Sequence, residues 1–146
     1  MFYDFVTHEI FVSVVIASII CQGWKFIDKS MRKKKIYWPG LTDTGGMPSS
    51  HSTFVCALAI SIGFVEGFLS TVFFLSLGFA TIVVRDAIGV RRAVDRLNDN
   101  VNEIIKKGKF GVKEILKIAG HTPVQAFVGI VLGVLVPLII HYIAYV

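Results

Sequence analysis

Four apolar runs are the feature that most restricts the fold of this chain, and they favour a bundle of membrane helices. They span residues 3–26, 53–65, 68–84 and 124–146. The first and last contain about 20 residues, the length that an α-helix needs to cross the hydrocarbon core of a bilayer. The middle two are shorter and flank Glu66-Gly67, which predicts two helices joined by a tight turn. The pattern therefore predicts an all-α integral membrane bundle with about four transmembrane helices.

The composition agrees with this class. The chain is 54% hydrophobic and its mean hydropathy is +0.70, which is above the usual range of soluble domains. At 146 residues it has room for one domain, predicted to span residues 1–146. The first run does not resemble a signal peptide, because Asp4, His8 and Glu9 stand where a basic region belongs. We therefore expect this run to be retained as a helix.

The basic residues predict the orientation of the bundle in the membrane. All 15 Lys and Arg residues lie within residues 25–35 and 85–117. Cytoplasmic segments collect Lys and Arg, so both basic segments are predicted to face the cytoplasm. Both termini and the turn at Glu66 are then expected on the outer side of the membrane, opposite the cytoplasm. The sequence thus predicts a multi-pass protein of the cell membrane with cytoplasmic basic loops.

The basic excess also bears on partners. A positive cytoplasmic face attracts anionic lipid headgroups, so membrane lipids are the expected partners. Nothing in the sequence suggests an element that would enter a nucleic-acid groove, and no nucleic-acid partner is expected. Cys21 and Cys56 lie inside apolar runs without metal or redox spacing, which is typical of small core residues.

The first polar loop stands directly before the second apolar run. Residues 42–52 read Thr-Asp-Thr-Gly-Gly-Met-Pro-Ser-Ser-His-Ser. Gly46 and the glycine before it permit unusual backbone angles. Ser49, Ser50 or Ser52 can cap the helix that follows.

The remaining polar segments predict two further helices and a second loop. Residues 85–105 carry apolar side chains at helical spacing and charges on the opposite face. Residues 112–119 predict a shorter amphipathic helix, and both are expected on the cytoplasmic side. A second loop then leads into the last run, with Thr122 as N-cap and Pro123 at the first helical position.

Each of the two loops brings a histidine to the cytoplasmic end of a predicted membrane helix. A helix N-terminus offers backbone N–H groups and a positive dipole end, which favour a bound anion. Of His51 and His121, one imidazole can attack phosphorus while the other protonates the leaving oxygen. Lys25, Arg91 and Arg92 lie at a similar depth and can stabilise the charge on the phosphoryl oxygens. The pattern predicts a site for phosphoryl transfer.

Three blocks of sequence together resemble a known family. They are Gly-Gly-Met-Pro-Ser-Ser-His-Ser at residues 45–52, Asp-Ala-Ile-Gly-Val-Arg-Arg at 86–92, and Gly-His-Thr-Pro-Val-Gln-Ala-Phe-Val-Gly at 120–129. The blocks are similar to the divergent branch of the type 2 phosphatidic acid phosphatase family, which is related to vanadium-dependent haloperoxidases. The resemblance covers nearly the whole chain.

The resemblance implies roles for the two histidines. His121 matches the nucleophilic histidine that forms a phosphohistidine intermediate, and His51 matches the general acid. The small residues before His51 match those that hold the phosphate. No metal and no cofactor are implied. The candidate substrate-binding residues are Lys25, Gly46, Ser49, Ser50, Arg91, Arg92 and Thr122.

The chain departs from the wider family at several positions. Gln125 stands where the family has a carboxylate that orients the nucleophilic histidine. Ile115 occupies the place of an arginine, and the Lys-x6-Arg-Pro block of the superfamily is missing. Asp86 could replace the lost carboxylate or pair with an arginine. We therefore count Gln125 and Asp86, with the two histidines, among the candidate catalytic residues.

These observations predict a membrane lipid phosphatase that hydrolyses a phosphomonoester of a lipid or prenyl phosphate. Phosphatidic acid, phosphatidylglycerophosphate and polyprenyl phosphates are the candidate substrates. One alternative is a metal-assisted hydrolase in which His51, His121 and Asp86 bind Mg²⁺ or Zn²⁺. The other is a lipid-binding or scaffolding protein, in which Gln125 marks lost catalysis. A chain this small could also need a second copy to close the site, which would make it a homo-oligomer.

Overall fold

The computed structural model describes residues 8–38, 45–108, 115 and 120–146, and in this part of the chain all regular structure is helical. The predicted all-α class is confirmed. The amphipathic helix predicted at residues 112–119 lies outside the described residues, apart from Ile115. The helices are α1 (Glu9–Lys33), α2 (Ser50–Glu66), α3 (Thr71–Ile88), α4 (Val90–Gly108) and α5 (Pro123–Ile140), followed by a π-helical turn at His141–Tyr145.

Helix α1 extends seven residues beyond the first apolar run. It begins after His8, whose side chain caps the Ile10 N–H, and it ends where Lys34 adopts a left-handed conformation with φ of 52°. Lys, Arg, Met and Ser residues are compatible with a helix, so the end of apolarity does not end the helix. Arg32 and Lys33 in the last turn also interact favourably with the helix dipole.

The predicted turn at Glu66-Gly67 is confirmed. Helix α2 ends at Glu66, and Gly67 has a φ of +91°, which favours glycine. Its carbonyl accepts a hydrogen bond from the Ser70 N–H at 3.1 Å. Ser70 then caps α3 by accepting from the Phe73 N–H at 3.2 Å. The two helices therefore form a tight hairpin.

The amphipathic helix predicted at residues 85–105 is divided between two helices. Residues 85–88 end α3, and α4 starts after Gly89, whose N–H still donates to the Arg85 carbonyl at 2.9 Å. Helix α4 continues to Gly108 with its apolar residues on one face. The polar segment after the third apolar run is thus a direct extension of the membrane helix.

Three helical stretches are long and apolar enough to cross a membrane: Glu9–Lys33, Thr71–Gly108 and Pro123–Tyr145. Helix α2 is also apolar but has 17 residues, which corresponds to about 26 Å at 1.5 Å per residue. Helix α2 packs against α1, α3 and α5 and so lies at the centre of the bundle. The chain is a helical membrane bundle, as predicted.

Small residues form the contacts between the helices, and large apolar residues face outward. Buried positions include Ala17, Ala57, Ala59, Ala80 and Ala126, while Ile19, Leu75 and Phe127 are exposed. In a membrane, lipid chains solvate large apolar side chains, so close approach of backbones is what holds helices together. This distribution is the one expected for a membrane bundle.

The helices alternate in direction, so the bundle has two chemically different ends. One end, called the site end below because it contains His51 and His121, holds the C-termini of α1 and α3 and the N-termini of α2 and α5. At the opposite end, His141 Nδ1 lies 2.9 Å from Glu9 Oε1, and the His141 ring stacks on Phe64 with 4.1 Å between centroids. These contacts join α1, α2 and the end of α5 far from the site.

Candidate phosphate site

Lys25 is a buried charged residue at the site end of the bundle. Its side chain is fully buried, and its ammonium donates a hydrogen bond to the Ser50 hydroxyl at the N-terminus of α2. A buried ammonium is costly unless polar groups or an anion surround it. The sequence predicted only that Lys25 lies at a depth similar to that of the polar loops, and the structure adds its contact with Ser50 of the first loop.

Ser49 anchors the loop that precedes α2. Its N–H donates to the Gln125 carbonyl at 3.0 Å, and its hydroxyl accepts from the Ser52 N–H at 3.4 Å and hydroxyl at 3.0 Å. Its carbonyl accepts from the N–H and hydroxyl of Thr53, each at 3.0 Å. The Ser49 hydroxyl is thus occupied by the cap, and Ser50 is the serine that contacts Lys25.

Gly46 has the unusual backbone angle that its sequence context predicted, with a φ of +99°. A Cβ there would lie 3.4 Å from Lys29 Cε, and Lys29 Nζ donates to the Gly45 carbonyl at 3.1 Å. Lys29 was counted in the sequence analysis only among the basic residues of segment 25–35, and this contact was not predicted. Its spacing of four residues from Lys25, on the same face of α1, could have revealed it.

The two histidines face the same end of the bundle and keep unpaired nitrogens. His121 is 1% exposed, and its backbone N–H donates to the Ala87 carbonyl at 3.0 Å. The Nδ1 atoms of His121 and of half-buried His51 are inaccessible and have no hydrogen-bond partner in the described residues. Leaving such an atom unpaired costs about 1–3 kcal/mol, so both positions favour a polar ligand.

Burial and neighbouring charge act together on His121. Desolvation is the largest cause that lowers the pKa of its imidazole, and the Lys25 ammonium adds to the effect. His51 and Arg91 contribute in the same direction, while a hydrogen-bond interaction with the Gln125 side chain raises the pKa. The neutral imidazole, which is the nucleophilic form, is therefore the form present at pH 7.

Gln125 also has a structural role that the sequence analysis did not predict. Its side-chain oxygen accepts from the Thr122 N–H at 3.0 Å, and its own N–H donates to the Thr122 hydroxyl at 3.3 Å. This reciprocal pair is a capping box at the start of α5. The predicted N-cap is confirmed, and the Thr122 hydroxyl is engaged in the cap.

Asp86 pairs with an arginine, one of the two roles considered for it. Arg91 Nε lies 2.6 Å from Asp86 Oδ2. The second loop is fixed to the same region, because the Gly120 N–H donates to the Asp95 carboxylate. A Cβ at Gly120 would lie 2.6 Å from the Arg92 backbone nitrogen, so the loop lies directly against α4.

Among residues 8–38, 45–108, 115 and 120–146, the structure has no group of three His, Cys, Asp or Glu side chains placed to hold a metal ion. The donor set considered for a metal-assisted hydrolase was His51, His121 and Asp86. These residues do not meet as ligands, since Asp86 is directed to Arg91. That alternative therefore has no metal site in the described part of the chain.

Comparison with known proteins identifies the family of the chain. Residues 6–136 match the family described as the divergent PAP2 family. The chain is also 30% identical to the uncharacterized membrane protein YuiD of Bacillus subtilis (strain 168), over 95% of this chain and 98% of that protein. No solved structure matches the chain. Because the family match covers most of the 146 residues, the chain belongs to the divergent PAP2 family.

Proposed function

We propose that this protein is a membrane lipid phosphatase that transfers the phosphoryl group of a lipid phosphate to His121 and then to water. The observation that carries the proposal is the meeting of four features at one end of the bundle. They are the buried His121 imidazole, the unpaired imidazole nitrogen of His51, the buried Lys25 ammonium and the N-terminus of α2.

Phosphate binding is assigned to the groups around the start of α2. Lys25 and the Ser50 hydroxyl already contact each other, so an anion beside them would meet a cation and a hydroxyl together. The N-terminus of α2 adds the positive end of a helix dipole. Arg91, which pairs with Asp86, is a candidate for a second cation, because its charge contributes to the lowered pKa of both histidines.

The chemistry assigned to the histidines has two steps. A nitrogen of neutral His121 attacks phosphorus, the phosphorus–oxygen bond to the alcohol breaks, and His51 gives a proton to the leaving oxygen. Burial, Arg91 and Lys25 lower the pKa of His51 in the free protein, and the negative charge of the bound phosphate acts in the opposite direction and favours the protonated form. Neutral His51 then takes a proton from water, which attacks the phosphohistidine and releases inorganic phosphate and His121. Lys25 stabilises the negative charge on the phosphoryl oxygens in both steps.

The position of the site favours a lipid substrate in the cytoplasmic leaflet. The site lies at the end of an apolar bundle whose outer surface carries large exposed apolar side chains. Lys25, Arg85 and Arg91 lie at this same end. The distribution of Lys and Arg along the sequence favours a cytoplasmic location for it. A lipid could thus present its phosphate to Lys25 while its chains stay in the membrane.

The experiment is phosphate release by the purified protein in lipid vesicles, in the presence of a chelator. The panel contains phosphatidic acid, phosphatidylglycerophosphate and a polyprenyl phosphate, with His121→Ala and His51→Ala alongside. The proposal predicts turnover that resists the chelator, with a loss of at least a thousandfold for His121→Ala, on the order expected when a nucleophile is removed.

Two outcomes would contradict the proposal. Activity abolished by the chelator would favour a metal-assisted reaction. Absence of turnover on every lipid by folded protein, together with tight binding of phosphate or vanadate, would favour a lipid-binding protein without catalysis. The thermal stability of the His121→Ala variant is the control, because a native value shows that lost activity is due to the missing imidazole and not to misfolding.

A further inference from the structure

A groove between α1 and α2 continues from the site toward the middle of the bundle. It encloses about 280 Å³ and is lined by Ser18, Gln22, Ser50, His51, Phe54 and Val55. Ser50 and His51 at one end belong to the proposed site. The other lining residues have no role in the proposed reaction so far.

Gln22 is the unusual member of this lining. Its side-chain oxygen is buried, and it has no hydrogen-bond partner within the described residues. Ser18, one turn deeper, already donates its hydroxyl proton to the Val14 carbonyl at 2.7 Å. A buried amide oxygen without a hydrogen-bond partner is destabilising in a membrane helix. A bound ligand that donates a hydrogen bond to the Gln22 oxygen would remove this cost.

The depth of Gln22 defines which part of a substrate it would meet. Gln22 precedes Lys25 by three residues on α1, so it lies about 4.5 Å deeper along the helix axis. His51, which in the proposed reaction protonates the leaving oxygen, lines the same groove. The alcohol that leaves with that oxygen therefore enters the groove, and its atoms next to the phosphoester lie at the level of Gln22.

We infer that Gln22 is a specificity-determining residue that accepts a hydrogen bond from a hydroxyl on the carbon beside the phosphoester. The inference rests on the proposed function and narrows its substrate to glycerol-type phosphomonoesters with a free hydroxyl. Phe54 and Val55 provide an apolar wall for the chain beyond this hydroxyl. A prenyl phosphate has no polar group at this level and would leave the Gln22 oxygen unpaired.

A matched pair of substrates tests this inference. One is a 1-acyl-glycerol 3-phosphate, and the other is the corresponding acyl-propanediol phosphate, which differs only by the missing hydroxyl; a prenyl phosphate completes the series. We expect kcat/KM for the wild-type protein to be about tenfold or more higher with the hydroxyl, because a buried hydrogen-bonding group discriminates strongly. Gln22→Leu should remove this difference by slowing only the hydroxylated substrate.

The control variant is Thr81→Val, a similar polar-to-apolar change on α3 whose hydroxyl bonds only the Leu77 carbonyl in the described structure. It should keep the wild-type preference. Equal rates on the matched pair by the wild-type protein, or an unchanged preference in Gln22→Leu, would overturn the inference while leaving the proposed function intact. A wild-type protein without turnover on any substrate would contradict the proposed function itself.

Discussion

The protonation state of His121 depends on residues from four other parts of the chain. Lys25 of α1, His51 of α2 and Arg91 of α4 lower its pKa, and Gln125 of α5 raises it, while burial is the largest cause of the net decrease. A nucleophilic imidazole must be unprotonated, so this environment suits the proposed role. The same environment makes the pH dependence of the reaction testable.

Lys25→Met should shift the acidic limb of the pH profile of kcat/KM. In the wild-type protein the pKa of His121 lies below its ordinary value of 6.5, so the neutral form persists to lower pH and the limb lies below pH 6.5. Removing the ammonium raises this pKa and moves the limb to higher pH. The plateau should fall about ten- to hundredfold through loss of a charged hydrogen bond to phosphate.

Lys107→Met is the control for charge removal. Lys107 is exposed on α4 and pairs with Glu103 at 2.6 Å, an exposed pair that contributes little to stability. Its profile should match that of the wild-type protein. An acidic limb that stays in place in Lys25→Met would contradict the assigned coupling between Lys25 and His121.

Gln125→Glu should separate the two roles of Gln125. Glutamate also forms a capping box with Thr122, so the thermal unfolding temperature should change little. Its negative charge raises the pKa of His121 and moves the acidic limb to higher pH. Thr122→Ala removes the cap, and we expect a loss of about 1 kcal/mol in stability without that shift in the limb. A shift in both variants, or in neither, would contradict this separation.

At the scale of elements, the contact between α2 and α5 determines the geometry of the site. A Cβ at Gly129 would lie 2.6 Å from the Ser49 carbonyl oxygen, and one at Gly133 would lie 2.6 Å from the Thr53 carbonyl oxygen. The two glycines are one turn apart, so α5 lies directly on the backbone of α2. Such close approach is typical of small residues four apart in membrane helices.

Gly129→Ala should therefore disturb both the packing and the site. The added methyl group would push α5 away from the Ser49 loop, at a cost of about 1–3 kcal/mol, and activity should fall with it. Gly78→Ala is the matched control, because a Cβ at Gly78 has no atom within 4 Å. That variant should be as stable as the wild-type protein or slightly more stable. Equal stability and activity of the two variants would contradict the described contact.

The sequence predicts those features of the helices and loops that depend on residues close together in the chain. The turn at Glu66-Gly67, the glycine angle at Gly46 and the cap at Thr122 each depend on a few neighbouring residues, and the structure has all three. The contact of Lys29 with Gly45 and the position of Gln22 in the groove depend on which face of α1 packs against α2. Helical periodicity is weak in an apolar run that is nearly all hydrophobic, so that face is hard to predict.

For the whole molecule, the alternating direction of the helices separates an acidic end from a basic end. Glu9 and Glu66 lie at the end where His141 stacks on Phe64, and Lys25 lies at the other. The sequence predicted this division because positive charges and apolar runs are properties of long segments. It could not predict which side chains meet within each end, since that depends on the rotation of every helix.

The orientation of the two ends is tested by labelling. In a background of Cys21→Ser and Cys56→Ala, Glu66→Cys and Lys107→Cys mark the opposite ends of the bundle. A maleimide that does not cross membranes should label Glu66→Cys in intact cells and Lys107→Cys only after permeabilisation. The reverse pattern would place the site outside the cell and contradict a substrate in the cytoplasmic leaflet.

The central claim is that His121 carries the phosphoryl group during turnover, and trapping that intermediate tests it most directly. Protein mixed with a lipid phosphate carrying a labelled phosphoryl group is quenched within the first turnovers at alkaline pH, digested and examined by mass spectrometry. The account predicts phosphate on His121 in the wild-type protein and none on that peptide in His121→Ala. Turnover without a phosphorylated His121, or with the phosphate on another residue, would contradict it.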